Sequence, residues 1–327
     1  MGRMRALIRD SYGPPAVLRV EEVEMPVPGE GEALVRVHAS SLNTADLHSV
    51  TGTPRAARIG TGLTRPNTPG IGLDVAGIVE EVGSGVRDLT PGAEVWADLS
   101  LVGSGALAEF VCAASEVFSP KPAGIGFEEA ATIPHSAVLA LQGLRAWNRP
   151  IRVGHRVLIN GAGGCVGPFA LKIAKAQGAE VTGVDHAGKQ DLMRAAGADH
   201  VVDFTREDIT RNGVVYDRIL DIATGRSVLD FRRSLAPEGS HAVIVDSLGG
   251  FFGAAALGWL ASVGTGRRMG VFPWIANDPA DLSSLADLAN KGALDPVIDR
   301  RVGLEEVPSA LLDMQQGRTL GKVVVVP

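Results

Sequence analysis

The segment "RVLINGAGGCVGPFALKIAKAQGAEVTGVDHAGKQ", Arg156–Gln190, places a glycine-rich turn between an apolar strand and an amphipathic helix. In such a turn Gly161 permits a tight exit from the strand, and Gly163 or Gly164 lets the backbone approach a diphosphate. Gly167 then lets the helix pack closely on the strand, with its positive end facing the phosphates. The spacing departs from G-x-G-x-x-G, but the strand, turn and helix together predict a bound nicotinamide dinucleotide, the cofactor of an oxidoreductase.

An acidic residue, Asp185, ends the second strand of this segment, where a carboxylate takes the ribose hydroxyls of NAD. A 2′-phosphate there would meet a like charge, so we expect NAD(H) ahead of NADP(H). NADP(H) stays open because Lys189 and Arg206 could turn toward a phosphate. Asp185 could instead cap the helix that begins near Gly188.

The pattern around this segment predicts two domains of an α/β protein. Strands and helices alternate over residues 121–271, which predicts a doubly wound parallel sheet of the Rossmann type. Residues 1–120 contain short β-like runs separated by Gly/Pro turns, typical of a compact, mostly β domain. Residues 272–327 return to strand and helix patterns and are expected to complete that first domain.

The composition excludes several classes of function. The net charge of −6 and the lack of long basic runs argue against nucleic acid and anionic membranes as partners. Two cysteines are too few for a disulfide framework, and with no signal-peptide pattern they fit a cytoplasmic location. The most apolar stretch, Gly250–Gly264, is shorter than the roughly 20 residues that span a bilayer, so we expect it to be buried or to line a pocket.

Motifs along the whole chain carry a family resemblance. The segment "PGIGLDVAGIVEEVGSGV" (Pro69–Val86) resembles G-x-D-x-A-G-x-V-x-x-V-G, and "NTADLHSVTG" (Asn43–Gly52) resembles N-P-x-D-x-x-x-x-x-G. "DPVIDRRVGLEEVPSALLDMQQGRTLGKVVV" (Asp295–Val325) resembles the closing segment of the same family. The chain thus resembles zinc-free members of the medium-chain dehydrogenase/reductase superfamily, close to quinone oxidoreductases and enone reductases. The resemblance implies a GroES-like catalytic domain beside the Rossmann domain, and a homodimer paired through the Rossmann sheet edge.

The same comparison with zinc-dependent relatives predicts that no zinc is bound. Asn43 stands where those relatives have a Cys, and Leu73-Asp74 stands where they have a His-Glu pair. The lobe of four clustered cysteines is missing as well. Hydride transfer is therefore expected to proceed without a Lewis acid.

Three residues of the Asn43–Gly52 motif are the predicted catalytic group. The position of His48 resembles that of a proton-relay His in zinc-dependent relatives and of an aromatic pocket residue in quinone reductases. An imidazole there can donate to a substrate oxygen, or it could instead cap a loop or bind a ribose hydroxyl. Asn43 could donate to a substrate carbonyl or hold the nicotinamide ribose. Asp46 could orient the loop by accepting backbone N–H bonds, which for this residue is the favoured alternative.

Further residues are predicted to contact the cofactor. His135 and Ser136 begin a helix that approaches the nicotinamide in the family, and Leu139 replaces a common Thr. Cys165 lies at a helix N-terminus, where a thiol could be redox-sensitive but more often packs. The predicted cofactor-binding residues are Gly161, Gly163, Gly164, Cys165, Val166, Gly167, Asp185, His186, Lys189, His135 and Ala223.

The predicted activity is NAD(P)H-dependent reduction of a quinone or an α,β-unsaturated carbonyl. The loops at residues 53–68 and 250–270 are expected to line the substrate pocket, and the only cations suited to an anionic substrate there are Arg55, Arg58 and Arg65. A small, uncharged, apolar substrate is therefore favoured. Two alternatives stay open: a zinc-independent alcohol or carbonyl dehydrogenase, and a non-catalytic dinucleotide-binding protein on the same fold.

Overall fold

The computed structural model describes residues 2–55, 58–223, 225–244 and 248–327. Two compact units are present. The first unit contains the residues up to Val138 together with Ile275–Pro327, and the second unit contains Leu139–Trp274. The division after Val138 lies later in the chain than the change of sequence pattern near residue 120.

The described residues form fifteen strands in chain order. They are β1 (Arg3–Ile8), β2 (Arg19–Glu24), β3 (Glu32–Ser41), β4 (Asp74–Val82), β5 (Glu94–Asp98), β6 (Phe110–Ala114), β7 (Ser119–Pro120), β8 (Arg156–Asn160), β9 (Glu180–Asp185), β10 (His200–Asp203), β11 (Tyr216–Asp221), β12 (Leu235–Val243), β13 (Arg268–Val271), β14 (Ile298–Val302) and β15 (Lys322–Val325).

The α-helices of the described residues connect these strands. They are α1 (Thr44–Thr51), α2 (Arg58–Thr61), α3 (Phe127–Ala130), α4 (Pro134–Leu144), α5 (Gly167–Ala176), α6 (Gln190–Ala195), α7 (Val228–Phe231), α8 (Leu248–Ser262), α9 (Pro279–Asn290) and α10 (Val307–Gln315).

The second unit contains a six-stranded sheet in the order β10-β9-β8-β11-β12-β13, and every neighbouring pair is parallel. Counted along the unit, this is the order 3-2-1-4-5-6 of a doubly wound dinucleotide-binding sheet. The order reverses between β8 and β11, and ligands bind such sheets beyond the carboxyl ends of the strands at this reversal. The predicted α/β Rossmann fold is confirmed.

The first unit contains a seven-stranded sheet in the order β14-β15-β3-β4-β5-β7, with β6 paired to β3. The closing segment of the chain enters this sheet because β15 pairs with β3, with Val324 opposite Ser41. Residues at the ends of three antiparallel strands lie side by side: Ser41 is opposite Asp74, and Asp74 is opposite Asp98. This register collects polar side chains at one place, which becomes the first unit's site.

Buried apolar clusters explain why these strands are stable in both units. In the first unit, Val35, Val75 and Val95 and their neighbours form one buried cluster. In the second unit, Leu158, Phe231 and Tyr216 and their neighbours form another. Burial of apolar surface at roughly 25 cal/mol per Å² is the main stabilising contribution.

Two apolar segments of the sequence form helices in the structure. The apolar run after Phe127 is two helices, because Pro134 lacks an N–H and begins a new helix, α4. The stretch Gly250–Gly264 forms most of α8 and takes the expected pocket-lining role, since Ala255, Trp259 and Ser262 line a cavity of about 510 Å³. Trp259 is 70% exposed and Leu260 is 61% exposed. Its remaining described residues alternate between buried Ala254 and Ala261 and exposed positions, because only one face of the helix meets the sheet.

Candidate functional site

The glycine turn of the second unit joins β8 to α5 as the sequence predicts. Gly161 has a φ of +88°, in the region that favours glycine. The N–H groups of Gly161 and Ala162 donate to the Val184 carbonyl at 2.9 and 3.0 Å, which fixes the turn over β9. Val166 is the N-cap of α5, so the first N–H groups of this helix lie in the turn.

Three glycines of the turn have different surroundings. A Cβ on Gly167 would overlap the backbone of Ala162, so Gly167 allows α5 to approach the turn closely. A Cβ on Gly163 would overlap the Lys189 side chain. A Cβ on Gly164 would meet only the Gly161 carbonyl oxygen, at 3.5 Å, so the backbone of Gly164 faces open space. This cradle fits the approach of a diphosphate to bare backbone.

The carboxylate of Asp185 caps backbone groups at this turn. Its Oδ2 accepts a hydrogen bond from the Gly163 N–H at 3.0 Å, and its Oδ1 accepts one from the His186 N–H at 2.9 Å. Lys189 Nζ lies 4.0 Å from Asp185 Oδ2, and both side chains are largely buried. His186 accepts from the Gly188 N–H at 3.2 Å and caps the short helix that follows. The Asp185 carboxylate and the Lys189 ammonium therefore lie close together beside the turn.

Two further residues predicted to contact the cofactor, Cys165 and Ala223, lie at or beside the turn. Cys165 is half-buried within the turn, and Ala223 is exposed, with its Cβ 3.1 Å from the position of a Cβ on Gly161. Thr224 and residues 245–247, which follow the carboxyl ends of β11 and β12, lie outside the described residues.

A buried polar cluster forms the centre of the first unit, and we call Asn43, Asp74, Ser136 and Lys322 the Asp74 cluster. Lys322 Nζ donates to Asn43 Oδ1 at 2.6 Å, to Asp74 Oδ2 at 3.2 Å and to Ser136 Oγ at 3.2 Å. Asn43 Nδ2 donates to Asp74 Oδ2 at 2.9 Å, and Ser136 Oγ donates to Asn43 Oδ1 at 3.0 Å. All four side chains are buried, so the lysine charge is balanced inside the unit.

A second buried pair adjoins this cluster. The backbone N–H of His135 donates to Asp74 Oδ1 at 2.8 Å, while its ring Nδ1 lies 2.8 Å from Asp98 Oδ2. Burial opposes both charges, yet the charge and hydrogen bond of His135 lower the pKa of Asp98, and Asp98 in turn raises the pKa of His135. The pair is therefore favoured as imidazolium and carboxylate.

Asp46 serves as the capping residue at the start of α1. Its Oδ2 accepts from the Asn43 N–H at 2.8 Å, and its Oδ1 has no partner among the described residues. Burial raises the pKa of Asp46 to about 7, with the nearby Asp74 adding to the effect. This placement corresponds to the loop-orienting alternative for Asp46.

His48 lies on the same helix but outside the buried cluster. It is half-buried near the end of α1, and its imidazole makes no hydrogen bond to the described part of the chain. Nearby, Arg58 donates to the carbonyls of Gly52 and Thr51 and stacks over Tyr12, 4.3 Å from the ring centre. The imidazole of His48 therefore has no hydrogen-bond partner among the described residues and can donate to a bound molecule.

The first unit brings Asn43, Asp46, Asp74 and His135 together, while the second unit holds the predicted turn residues. Sequence reasoning missed Asp98 and Lys322. Their positions carried a usable signal, because Asp98 ends a strand that pairs with the strand beginning at Asp74, and Lys322 starts the final strand.

Comparisons with known proteins agree with this geometry. Residues 29–143 match the alcohol dehydrogenase GroES-like domain family, and residues 196–325 match the zinc-binding dehydrogenase family. The chain is 32% identical to the NAD(P)H oxidoreductase RTN4IP1, mitochondrial, of Mus musculus, over 98% of this chain and 89% of the relative. It is 30% identical to the chloroplast envelope quinone oxidoreductase homolog of Arabidopsis thaliana, over 99% of this chain and 98% of the relative.

The chain belongs to the medium-chain dehydrogenase/reductase superfamily. The structure of the quinone oxidoreductase from Coxiella burnetii superposes with a TM-score of 0.88 at 26% identity, covering 100% of both chains. As a medium-chain reductase of the quinone oxidoreductase group, the chain has the predicted GroES-like and Rossmann parts. Within the described residues, no group of three or more His, Cys, Asp or Glu side chains is arranged to hold a metal ion.

Proposed function

We propose that this NAD(P)H-dependent oxidoreductase reduces quinones or α,β-unsaturated carbonyls without zinc. The proposal that no zinc is used rests on the position of the Lys322 ammonium, which lies 2.6 Å from Asn43 Oδ1 and 3.2 Å from Asp74 Oδ2. Asn43 and Asp74 occupy positions aligned with zinc-site residues of zinc-dependent relatives. A resident cation of the chain already satisfies them, and a divalent ion beside it would be repelled.

A bound reduced nicotinamide would supply the hydride, and the chain supplies placement and a proton donor. The glycine turn holds the diphosphate through backbone N–H groups and the start of α5. His48 is the proposed donor to the substrate oxygen, since its imidazole is accessible and uncommitted. Asn43 and Asp46 act as positioning residues, because both are engaged in bonds that hold the start of α1.

The substrate is proposed to be small, uncharged and apolar. In the predicted pocket loop of the first unit, the guanidinium of Arg58 is already bound to backbone carbonyls, so it is not aimed at an anionic group. Relatives named for quinones and for an alkenal/one support the same chemical class. No described helix is long and apolar enough to cross a membrane. The cytoplasmic location stays a prediction, since several relatives are named as mitochondrial or chloroplastic.

The test of this function is a set of steady-state assays. Purified protein is given NADH or NADPH with a quinone, an enone and a simple ketone in turn, and loss of reduced-cofactor absorbance is followed. Turnover with the quinone or enone, unaffected by a chelator, is expected. Cofactor binding without turnover on any acceptor would instead establish the non-catalytic alternative, and turnover lost with chelator would refute zinc independence.

A His48→Gln variant tests the proposed donor. We expect kcat to fall about 10²-fold or more with unchanged cofactor affinity, as for loss of a general acid. His200→Gln is the matched control, because His200 is exposed in the second unit and pairs with Glu180. Equal activity of the His48 variant and the control would remove His48 from the mechanism.

We also propose that two copies pair through β13, the last strand of the six-stranded sheet. Beside it, α8 exposes Leu257, Trp259 and Leu260, and a second copy would both extend the sheet and cover these side chains. Sedimentation should give a dimer for the native chain and a monomer for a Trp259→Ser, Leu260→Ser double variant. Leu101→Ser, in the first unit and equally exposed, is the control, and a monomeric native chain would overturn the pairing.

A further inference from the structure

A cavity of about 330 Å³ lies at the amino ends of β8 and β11. Both strands run from this end toward the glycine turn, since β8 begins at Arg156 and ends just before Gly161. The cavity is therefore separated from the dinucleotide turn by the length of the sheet. Its cationic wall consists of Arg149, Arg152 and Arg218.

Arg218 is a buried cation that forms no ion pair with any carboxylate of the described residues. Only 8% of the residue is exposed, and its guanidinium donates to three backbone carbonyls, of Arg149 at 2.9 Å, Asp217 at 2.7 Å and Pro150 at 3.1 Å. Burial lowers the pKa of Arg218, and the charge of Arg149 lowers it further. Placing a charge in such surroundings is unfavourable unless an anion compensates it.

The two neighbouring arginines add to the same charge. Arg149 Nη1 donates to the backbone carbonyls of Glu238 at 2.8 Å and Gly239 at 3.1 Å. Arg152 is exposed, and its guanidinium has no hydrogen bond or ion pair within the described ranges. Backbone carbonyls hold two guanidinium groups in place without neutralising them, which preorganises their unused donors.

The other titratable groups of the wall leave this charge only partly balanced. Asp217 Oδ2 accepts from the Arg156 N–H at 2.9 Å, and the carboxylate of Glu238 lies against Gly266. His155 Nδ1 accepts from the Arg152 N–H at 3.2 Å, and burial lowers its pKa, with Arg218 and Arg152 adding to that effect. Three arginines thus face two carboxylates, so the charge of Asp217, which acts on Arg218, and that of Glu238 balance the cationic wall only in part.

We propose that this cavity, the arginine cavity, binds a small soluble anion bearing a phosphate group. Planar guanidinium groups match phosphate oxygens with paired charge-assisted hydrogen bonds, and an anion would supply the counter-charge that Arg218 lacks. The volume is at the lower end of that of small-molecule sites, so a compact phosphorylated ligand fits better than a second dinucleotide. The site is independent of the reductase activity proposed above.

The test measures binding of orthophosphate and pyrophosphate by calorimetry, at ionic strength matched with chloride and with NADPH in excess so that the glycine turn is occupied. We expect one additional site, and affinity for pyrophosphate weakened about tenfold in Arg149→Gln and in Arg152→Gln, as for loss of a charge-assisted bond. Arg152→Gln keeps the test valid if variants of the more buried arginines fail to fold. Arg211→Gln is the control, since Arg211 is exposed and pairs with Asp208.

Two results would overturn the proposal. One is the absence of phosphate and pyrophosphate binding beyond the chloride control, or binding that is equal in the native chain and both cavity variants. The other is cosedimentation with phosphatidic acid vesicles that depends on Arg149 and Arg152 without any binding of the free anions, which would assign the cavity to a lipid headgroup instead.

Discussion

Lys322 Nζ lies 2.6 Å from Oδ1 of Asn43, although 279 residues separate the two along the chain. The same ammonium contacts Asp74 Oδ2 at 3.2 Å, and the side chains of Lys322 and Asp74 are no more than 1% exposed. The final strand and the α1 motif are thus joined by a buried charge, and removal of that charge should be measurable as lost stability.

The first prediction concerns Lys322→Met. The change keeps most of the side-chain volume but leaves the Asp74 carboxylate buried without its cation, which typically costs about 3–5 kcal/mol of unfolding free energy. Urea unfolding measures the loss. The double variant with Asp74→Asn removes both charges and should recover part of the stability, whereas a loss below about 1 kcal/mol in the single variant would contradict a balanced buried pair.

The second prediction is a pH dependence caused by Asp46. Its pKa is raised to about 7 in the folded chain, while an unfolded Asp has a pKa near 3.9. The folded state therefore keeps a proton that the unfolded state releases, so this contribution to stability is complete below about pH 4 and is lost as the pH rises through about 7.

Asp46→Asn removes this titration. Compared with the native chain, the variant should become relatively more stable as the pH rises from about 5 to about 8, as measured by urea unfolding at each pH. Ser49→Ala, on the same helix and without a carboxyl group, is the control. A difference between Asp46→Asn and the native chain that does not change with pH would show that Asp46 ionises normally.

The third prediction separates packing from binding at the glycine turn. Gly167→Ala should destabilise the chain by roughly 1–3 kcal/mol, because its Cβ would overlap the Ala162 backbone. Gly164→Ala should leave stability nearly unchanged, since its Cβ has only the Gly161 oxygen nearby, but should weaken binding of NADH and NADPH. Unfolding curves and fluorescence titrations measure the two effects; unchanged dinucleotide affinity in Gly164→Ala would argue against diphosphate approach at that residue.

The fourth prediction concerns cofactor choice. Removing the carboxylate charge in Asp185→Asn should raise the affinity for NADPH relative to NADH by about tenfold, because a 2′-phosphate would no longer meet a like charge. Lys189→Ala should lower the affinity for NADPH relative to NADH. Lys189 Nζ lies 4.0 Å from Asp185 Oδ2, and without this ammonium the negative charge of Asp185 is no longer offset. Paired titrations measure the ratio. A native chain with a strong NADPH preference would overturn the interpretation of Asp185 as a ribose-binding group.

Local patterns were sufficient to predict the second unit. A strand, the turn Gly161–Gly167 and a helix lie within one short segment, so their relation depends on backbone conformation and neighbouring side chains alone. Proline also acts locally: Pro134 begins α4, in agreement with the helix expected to start at His135 and Ser136.

The polar site of the first unit could not be predicted in the same way. Asp74 and Asp98 come together because β4 and β5 pair in one register, and Lys322 reaches Asn43 because the final strand joins the sheet beside β3. The exposed Trp259 is a similar case, as the apolar composition of α8 does not say which face the sheet covers.

By itself, the sequence determined the dinucleotide turn, the parallel α/β pattern and the family, because short-range backbone geometry and hydrophobic periodicity are encoded in neighbouring residues. The tertiary structure alone decided that Lys322, Asn43, Asp74 and Ser136 share one buried cluster. It also decided that the buried Arg218 donates to backbone carbonyls and pairs with no carboxylate in the described part of the chain. Burial and charge pairing are set by strand register between distant parts of the chain, and it is burial that turns ordinary ionisable side chains into interactions that control stability and binding.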